Sequence, residues 1–101
     1  MTTTIELDEG EYYVQSRYAT ARVSPSGYLY NLGVHVDHRG NGHGTALMRD
    51  VCAFADRLAL TLTLHCRDAL VRWYEQLGFV RADIPGLPGT GVGMRRAPAG
   101  S

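Results

Sequence analysis

The sequence contains no lysine, because all ten of its basic residues are arginine, and ten acidic residues balance them. The formal net charge at pH 7 is zero, which argues against a protein that binds nucleic acid mainly by neutralising phosphates. No apolar run approaches the roughly 20 residues of a membrane-spanning helix. Residues 1–9 also lack the basic start and apolar centre of a signal peptide. We therefore expect a cytoplasmic protein.

Cysteine is scarce as well, and the two that occur, Cys52 and Cys66, do not form a C-x-x-C pair. Cys52 falls within an apolar helical pattern and Cys66 ends a strand-like run, so we predict that both are free, buried, small hydrophobic residues. A chain of 101 residues that is 45% hydrophobic supports one domain with a modest core. We assign residues 1–96 to this domain and residues 97–101 to a disordered tail.

The first third of the chain reads as strands. Runs rich in aromatic and β-branched residues predict strands over residues 11–18, 19–23 and 28–36. Residues 24–27, Ser-Pro-Ser-Gly, predict a turn between the second and third of these strands. Gly33 interrupts the third strand, and a glycine inside a strand often marks a bulge.

The rest of the chain alternates helix and strand. Leu47, Val51, Phe54 and Leu58 recur at helical spacing after Thr45. Strict alternation over residues 60–66 then predicts a strand. A second helix is predicted over residues 68–77, with Asp68 as its N-cap and Gly78 at its end, followed by strands over residues 79–82 and 92–96. This order predicts a mixed α/β fold whose central strand–helix–strand unit contains a parallel pair with a right-handed crossover.

Three alternating glycines, Gly40, Gly42 and Gly44, directly precede the first helix. Glycine allows a ligand to approach the backbone closely, and the first turn of a helix presents N–H groups without intrahelical partners at its positive end. The segment therefore suits a pyrophosphate, although alternating glycines also occur as simple tight turns. A Walker A loop is excluded because it needs a lysine. A dinucleotide fingerprint is excluded because Ala46 and Leu47 follow where it needs a third glycine.

Residues 32–48 resemble the acetyl-CoA signature of the GNAT superfamily, an apolar bulged strand followed by Arg/Gln-x-x-Gly-x-Gly/Ala and a helix. Arg39, Gly42 and Gly44 occupy its defining positions. Residues 73–79, Trp-Tyr-Glu-Gln-Leu-Gly-Phe, resemble the second signature of the same superfamily. The two motifs occur in the expected order, and the resemblance covers roughly residues 11–96. It implies a GNAT-like acyl-CoA N-acyltransferase fold, mostly antiparallel, and truncated at its N-terminus.

The resemblance implies an enzyme that moves an acetyl group from acetyl-CoA to an amine acceptor, small molecule or protein, by direct attack in a ternary complex. The Tyr74 hydroxyl would protonate the departing thiolate. Backbone groups of Val34 and Val36 would bind the pantetheine arm, and the segment from Arg39 through Thr45 would hold the pyrophosphate. The expected binding residues are Val34, Val36, Arg39, Gly40, Asn41, Gly42, His43, Gly44 and Thr45.

His65 is the candidate catalytic base. It aligns with the position at which several members of the superfamily carry a catalytic glutamate, and it shares a strand face with Thr61 and Thr63. A histidine is also suited to accept protons near neutral pH. A strand-end histidine that only faces water is the alternative, and Asn31 could instead position a water or the acceptor.

A metal is not expected, because His35, His38 and His43 match no familiar ligand spacing. The chain departs from the family in a shortened loop after Cys66 and in the absence, before Tyr12, of room for two helices that normally precede these strands. We therefore expect an open acceptor side, which suits a bulky amine such as a protein N-terminus or lysine, or a pocket completed in a homodimer. A degenerate acyl-CoA-binding module and a plain protein-interaction domain are the alternatives.

Overall fold

The computed structural model describes residues 3–34, 40, 42–86 and 91–99. Within these ranges seven strands and two α-helices follow one another, and a 3₁₀ turn over Asp68–Leu70 precedes the second helix. The elements are β1 (Thr4–Asp8), β2 (Glu11–Gln15), β3 (Ala19–Val23), β4 (Leu29–Val34), α1 (His43–Arg57), β5 (Leu62–Cys66), α2 (Val71–Glu75), β6 (Val80–Arg81) and β7 (Val92–Arg96). The predicted mixed α/β fold with mostly antiparallel sheets is confirmed.

Strands β1 to β4 form an antiparallel sheet in chain order. The first strand was not among those predicted, although its two-residue connection to β2 has a recognisable form. Glu9 and Gly10 both have positive φ, at 51° and 82°, as a type I′ turn requires. Asp8 pairs with Glu11 across this turn, so β1 and β2 form a hairpin with a two-residue loop.

Strand β4 contains the predicted bulge, but at a different residue. Gly33 pairs regularly with Thr20, whereas Tyr30 pairs with Arg22, so the extra residue of β4 lies between them. Asn31 has a φ of 55°, a left-handed conformation that asparagine tolerates better than most side chains. The prediction of a bulge at Gly33 is therefore wrong, and the bulge lies at Asn31.

A second antiparallel sheet has the strand order β5-β7-β6. It meets the first sheet where β4 begins, at a single parallel bridge between Tyr28 and Thr63. The Thr63 N–H donates a hydrogen bond to the Gly27 carbonyl at 3.0 Å. No further β4–β5 pairing follows within the described residues, so the predicted parallel pair is joined at one end and open at the other.

Helix α1 packs its apolar side into the core through Leu47, Met48, Val51, Cys52 and Ala55. Leu58, predicted as part of this stripe, is 49% exposed, because the helix ends at Arg57 and Leu58 lies at its C-terminal cap. The prediction that both cysteines are buried and free is confirmed.

The second helical segment differs from the prediction at its start. Arg67, in an extended conformation, is the residue before the 3₁₀ turn, and Asp68 lies in its first turn without a capping hydrogen bond. The prediction of Asp68 as the N-cap is therefore wrong. Gly78 ends the segment with a φ of 97°, as predicted.

Asp56 joins the end of α1 to the closing strand. The Arg96 guanidinium donates to both carboxylate oxygens of Asp56, at 2.8 and 3.2 Å, and to the Leu77 carbonyl at 3.0 Å. The Ala99 N–H donates to Asp56 at 2.8 Å, which ties residues beyond β7 to the helix. The limits assigned to the domain and its tail stay predictions.

Replacing Asp56 with Asn should lower the free energy of unfolding at neutral pH, and this loss should shrink in acid. The hydrogen bonds from Arg96 and then Ala99 lower the pKa of Asp56 from its ordinary value of 3.8. Stabilisation from a lowered pKa is present above the unfolded value and disappears as the pH falls through the folded value. Urea unfolding of the wild type and Asp56→Asn at about pH 7 and about pH 3 measures this linkage.

The exposed Asp83 offers the control substitution Asp83→Asn, which should change neither measurement. A deficit of Asp56→Asn that is the same at both pH values would contradict the linkage.

No helix in the described ranges is long and apolar enough to cross a membrane. The cytoplasmic location and the homodimer stay predictions.

Candidate active site

A groove opens where β4 and β5 diverge beyond the Tyr28–Thr63 bridge. Its innermost part is a cavity of about 260 Å³ whose walls include Asn31 and Leu32 from β4, His65 from β5 and Tyr74 from α2. The two residues predicted to be catalytic therefore line the same cavity, although they come from different elements.

Two further cavities extend this space towards the start of α1. The middle cavity, of about 580 Å³, shares Leu32, Arg67, Leu70 and Tyr74 with the inner one. It shares Val34, Gly44 and Trp73 with an outer cavity of about 280 Å³. Through these shared walls the three cavities follow one another from the start of α1 to His65, and together we call them the strand groove.

The outer end of the strand groove lies at the start of α1, at Gly40, Gly42 and Gly44, which we call the glycine turn. Gly42 is the N-cap residue, with a φ of 80°, and neither a side-chain cap nor an acidic residue occupies the first turn. The first intrahelical bond runs from the Ala46 N–H to the Gly42 carbonyl, so the N–H groups of Gly44 and Thr45 have no acceptor within the helix. A negatively charged group is favoured at such a helix start.

The side walls of the groove near this turn are closely packed. A Cβ on Gly44 would lie 3.1 Å from Val34 Cγ2, so a side chain there would crowd the passage. The Trp73 indole N–H donates to the Thr45 hydroxyl at 3.0 Å and fixes α2 against the start of α1. Trp73 was not among the predicted site residues, although it is the only tryptophan of the chain.

The structure therefore brings six predicted binding residues to the outer cavity, namely Val34, Gly40, Gly42, His43, Gly44 and Thr45. The other predicted binding residues, Val36, Arg39 and Asn41, lie outside the described residues, as do His35 and His38.

Tyr74 is buried except for 6% of its surface. Its ring packs edge-on against Trp73 and Phe79, with centroid distances of 4.7 and 5.5 Å. Burial, with a smaller contribution from Cys66, raises the pKa of the Tyr74 hydroxyl to about 12. The hydroxyl therefore keeps its proton at any pH at which a protein of this kind operates, and it is available as a donor in the groove.

His65 is half-buried, and both of its ring nitrogens have partners. Nε2 lies 2.9 Å from the Ile84 carbonyl oxygen. Because a carbonyl can only accept, Nε2 carries the proton. Nδ1 lies 2.8 Å from the Tyr28 hydroxyl and, in the neutral ring, accepts its hydrogen bond. The water-facing alternative for His65 does not describe this arrangement.

Tyr28 and Ile84 were not predicted as site residues. Tyr28 lies directly after the Ser-Pro-Ser-Gly turn, and nothing in its sequence context distinguishes it from the neighbouring tyrosines. The partner that matters on Ile84 is a backbone carbonyl, which leaves no signal in the sequence.

The described residues contain no group of side chains arranged as metal ligands. Across residues 3–34, 40, 42–86 and 91–99, no three His, Cys, Asp or Glu side chains are placed to hold one ion.

The acetyltransferase (GNAT) domain family matches residues 5–81, whereas no curated protein matches the sequence. The ribosomal-protein-S18-alanine N-acetyltransferase of Escherichia coli has a similar structure, with a TM-score of 0.71 at 23% identity over 93% of this chain and 73% of that one. An acyl-CoA N-acyltransferase from Pseudomonas aeruginosa gives a TM-score of 0.67 at 25% identity over 86% and 67% of the two chains. Because the family match spans most of the sequence, the chain belongs to the GNAT family of N-acetyltransferases.

Proposed function

We propose that the protein transfers an acetyl group from acetyl-CoA to an amine by direct attack within a ternary complex. The observation that carries the proposal is the strand groove, which runs from the start of α1 to the cavity that Tyr74 and His65 line. Acyl transfer from a thioester to an amine needs a place for the pyrophosphate, an acid for the departing sulfur and a base for the amine proton. In this proposal the start of α1 holds the pyrophosphate, Tyr74 is the acid and His65 belongs to the base.

The pyrophosphate of acetyl-CoA would bind at the glycine turn. The N–H groups of Gly44 and Thr45 and the positive end of α1 favour an anion there. The pantetheine arm would then follow β4 past Val34 and Trp73, which line both the middle and the outer cavity. Val36, Arg39 and Asn41 belong to this binding site by the sequence motif alone.

Tyr74 would act as the acid for the departing sulfur. Its pKa of about 12 lies above the value near 8.5 of an ordinary thiol, so complete proton transfer to a free thiolate is uphill by about 5 kcal/mol. We infer that the hydroxyl contributes mainly through a charge-assisted hydrogen bond to the sulfur as the C–S bond breaks. A hydroxyl with a raised pKa suits this role because it never competes as a phenolate.

His65 would be the final acceptor of the proton that the amine loses, and the acceptor would approach the surface on which Tyr28, Tyr30 and His65 lie close together. A protein amine is the acceptor class we favour, because the structurally similar ribosomal-protein-S18-alanine N-acetyltransferase acts, by its name, on an alanine of a protein.

Placing carboxylates in the glycine turn should abolish binding of acetyl-CoA. In the double variant Gly42→Asp/Gly44→Asp two negative charges replace the anion site and one side chain crowds Val34. Like charges brought together in this way weaken binding by several kcal/mol, so we expect a loss of at least about 100-fold. Isothermal titration with acetyl-CoA measures it.

Ala53→Asp is the matched control, because Ala53 is exposed on the same helix and lies outside the groove. It should bind as the wild type does. A wild-type protein that binds neither acetyl-CoA nor CoA would overturn the proposed function, and a double variant that binds normally would overturn the assignment of the glycine turn.

A further inference from the structure

We propose that Tyr28 is the catalytic group that takes the proton from the acceptor amine and passes its own proton to His65. This inference rests on the proposed function. It follows from the juxtaposition of three groups, the Tyr28 hydroxyl, the His65 imidazole and the Ile84 carbonyl, in one hydrogen-bonded row. His65, the middle member of this row, lines the inner cavity of the strand groove.

The imidazole by itself offers no lone pair to the groove. Its Nε2 donates to the Ile84 carbonyl, and its Nδ1 accepts from the Tyr28 hydroxyl. An amine that approached His65 directly would have to displace Tyr28 before it could transfer a proton. In the neutral ring, the tyrosine hydroxyl therefore occupies the nitrogen of His65 that would accept a proton.

The Tyr28 oxygen can take that proton, because a phenol has one donor and two acceptor positions. The donor position is directed at Nδ1 and an acceptor position remains. Two contacts fix the residue: its backbone N–H donates to the Ser24 hydroxyl at 3.0 Å, and its backbone forms the bridge to Thr63. Its ring stacks on Tyr30 at a centroid distance of 6.3 Å.

The transfer balances in two linked movements. The ammonium group of the acceptor gives a proton to the Tyr28 oxygen, and the original Tyr28 proton moves to Nδ1. The products are a neutral amine, a neutral tyrosine and an imidazolium. When the amine lone pair attacks the thioester carbonyl, the N–C bond forms and the C–S bond breaks, and the second proton lost by the nitrogen goes to the departing thiolate to give the CoA thiol. The imidazolium donates to Ile84 through Nε2 and to Tyr28 through Nδ1, so both protonation states keep every hydrogen bond without a side-chain movement.

Charged and titratable groups lie around the row on several elements. The Tyr30 hydroxyl donates to Glu11 of β2. Cys66, Arg67 and Tyr74 line the same inner cavity, and Asp83 precedes Ile84. None of them is a hydrogen-bond partner of Tyr28 or His65, so these two residues form the row with the Ile84 carbonyl.

The test compares two acceptors in the Tyr28→Phe variant. One is a short peptide with a free α-amine, which is mostly protonated at about pH 6.5. The other is the same peptide with an aminooxy group in place of the amine, whose nitrogen is neutral at that pH. Loss of a proton relay should lower kcat for the amine by about 100-fold while the aminooxy peptide retains most of its rate. A variant that merely damages the fold or misplaces His65 would lose activity equally with both.

Tyr13→Phe is the control, because Tyr13 lies on the same sheet face with the Arg22 guanidinium over its ring at 4.9 Å and outside the groove. A readout independent of turnover is the ¹⁵N spectrum of His65, which should show the Nε2–H tautomer in the wild type. The opposite tautomer, or a Tyr28→Phe variant as active as the wild type with the amine, would overturn the relay alone. A wild-type protein that acetylates neither peptide and does not bind acetyl-CoA would overturn the proposed function, and the relay with it.

Discussion

Tyr74→Phe should lower kcat by about 10²- to 10³-fold while leaving the binding of acetyl-CoA unchanged. The substitution removes one hydroxyl and keeps the ring that packs against Trp73 and Phe79, so the fold and the groove walls should persist. In the proposed mechanism this substitution removes the hydrogen bond to the departing sulfur, an interaction that forms only as the thioester bond breaks. Interactions of this kind lower kcat rather than raise KM.

The measurement is the rate of thiol release at saturating acetyl-CoA, accompanied by isothermal titration of both proteins. Tyr12→Phe is the control, because the Tyr12 ring packs on Phe54 away from the groove. Since the pKa of Tyr74 is about 12, loss of its proton should not reduce the wild-type rate below about pH 10. Equal kcat values for the wild type and Tyr74→Phe would show that the sulfur departs without help from this residue.

Gly27→Ala should lower the free energy of unfolding by about 3 to 5 kcal/mol. Gly27 has a φ of 96°, and an added Cβ would overlap the backbone carbonyl of Thr61. A left-handed conformation with a side chain is unfavourable by roughly 1 to 2 kcal/mol, and the overlap adds to this because the backbone at Thr61, directly before β5, must move. That movement would also pull apart the bridge at which the two sheets meet.

Gly10→Ala separates the two effects. Gly10 has a φ of 82°, but a Cβ there would meet nothing within 4 Å, so only the conformational penalty of roughly 1 to 2 kcal/mol applies. Chemical denaturation of the wild type and both variants gives the three free energies of unfolding. Similar losses for Gly10→Ala and Gly27→Ala would mean that the contact with Thr61 is unimportant.

The features that follow a period or a motif could be predicted from the sequence. Helix α1, the strand that ends at Cys66 and the closing strand over Val92–Arg96 each carry a regular apolar pattern, and their bounds agree with the structure within a few residues. The glycine turn and Tyr74 were predicted as site residues because two motifs occur in a fixed order, and the structure places both along the strand groove. Apolar periods and short motifs involve residues that are close in the sequence, so they can be recognised without knowledge of the tertiary contacts.

The features that depend on contacts between distant residues could not be predicted. The bulge lies at Asn31 rather than Gly33 because the pairing with β3 decides where the extra residue is accommodated. Leu58 follows the apolar period but is exposed, because the helix ends before it. The row from Tyr28 through His65 to Ile84 joins three separate segments, one of them through a backbone carbonyl, and no spacing in the sequence indicates it.

The divergence of β4 and β5 has a thermodynamic consequence. A strand edge is a template for a further chain, and here two such edges face each other inside the molecule across the strand groove. If the pantetheine arm binds along β4 as proposed, the co-substrate takes the place of an absent strand and the two sheets become one cooperative unit. Folding and binding are then linked, and saturation at 100 times the dissociation constant would add about 2.7 kcal/mol to the stability. In the cell, the concentration of acetyl-CoA would thus influence the fraction of this small protein that is folded.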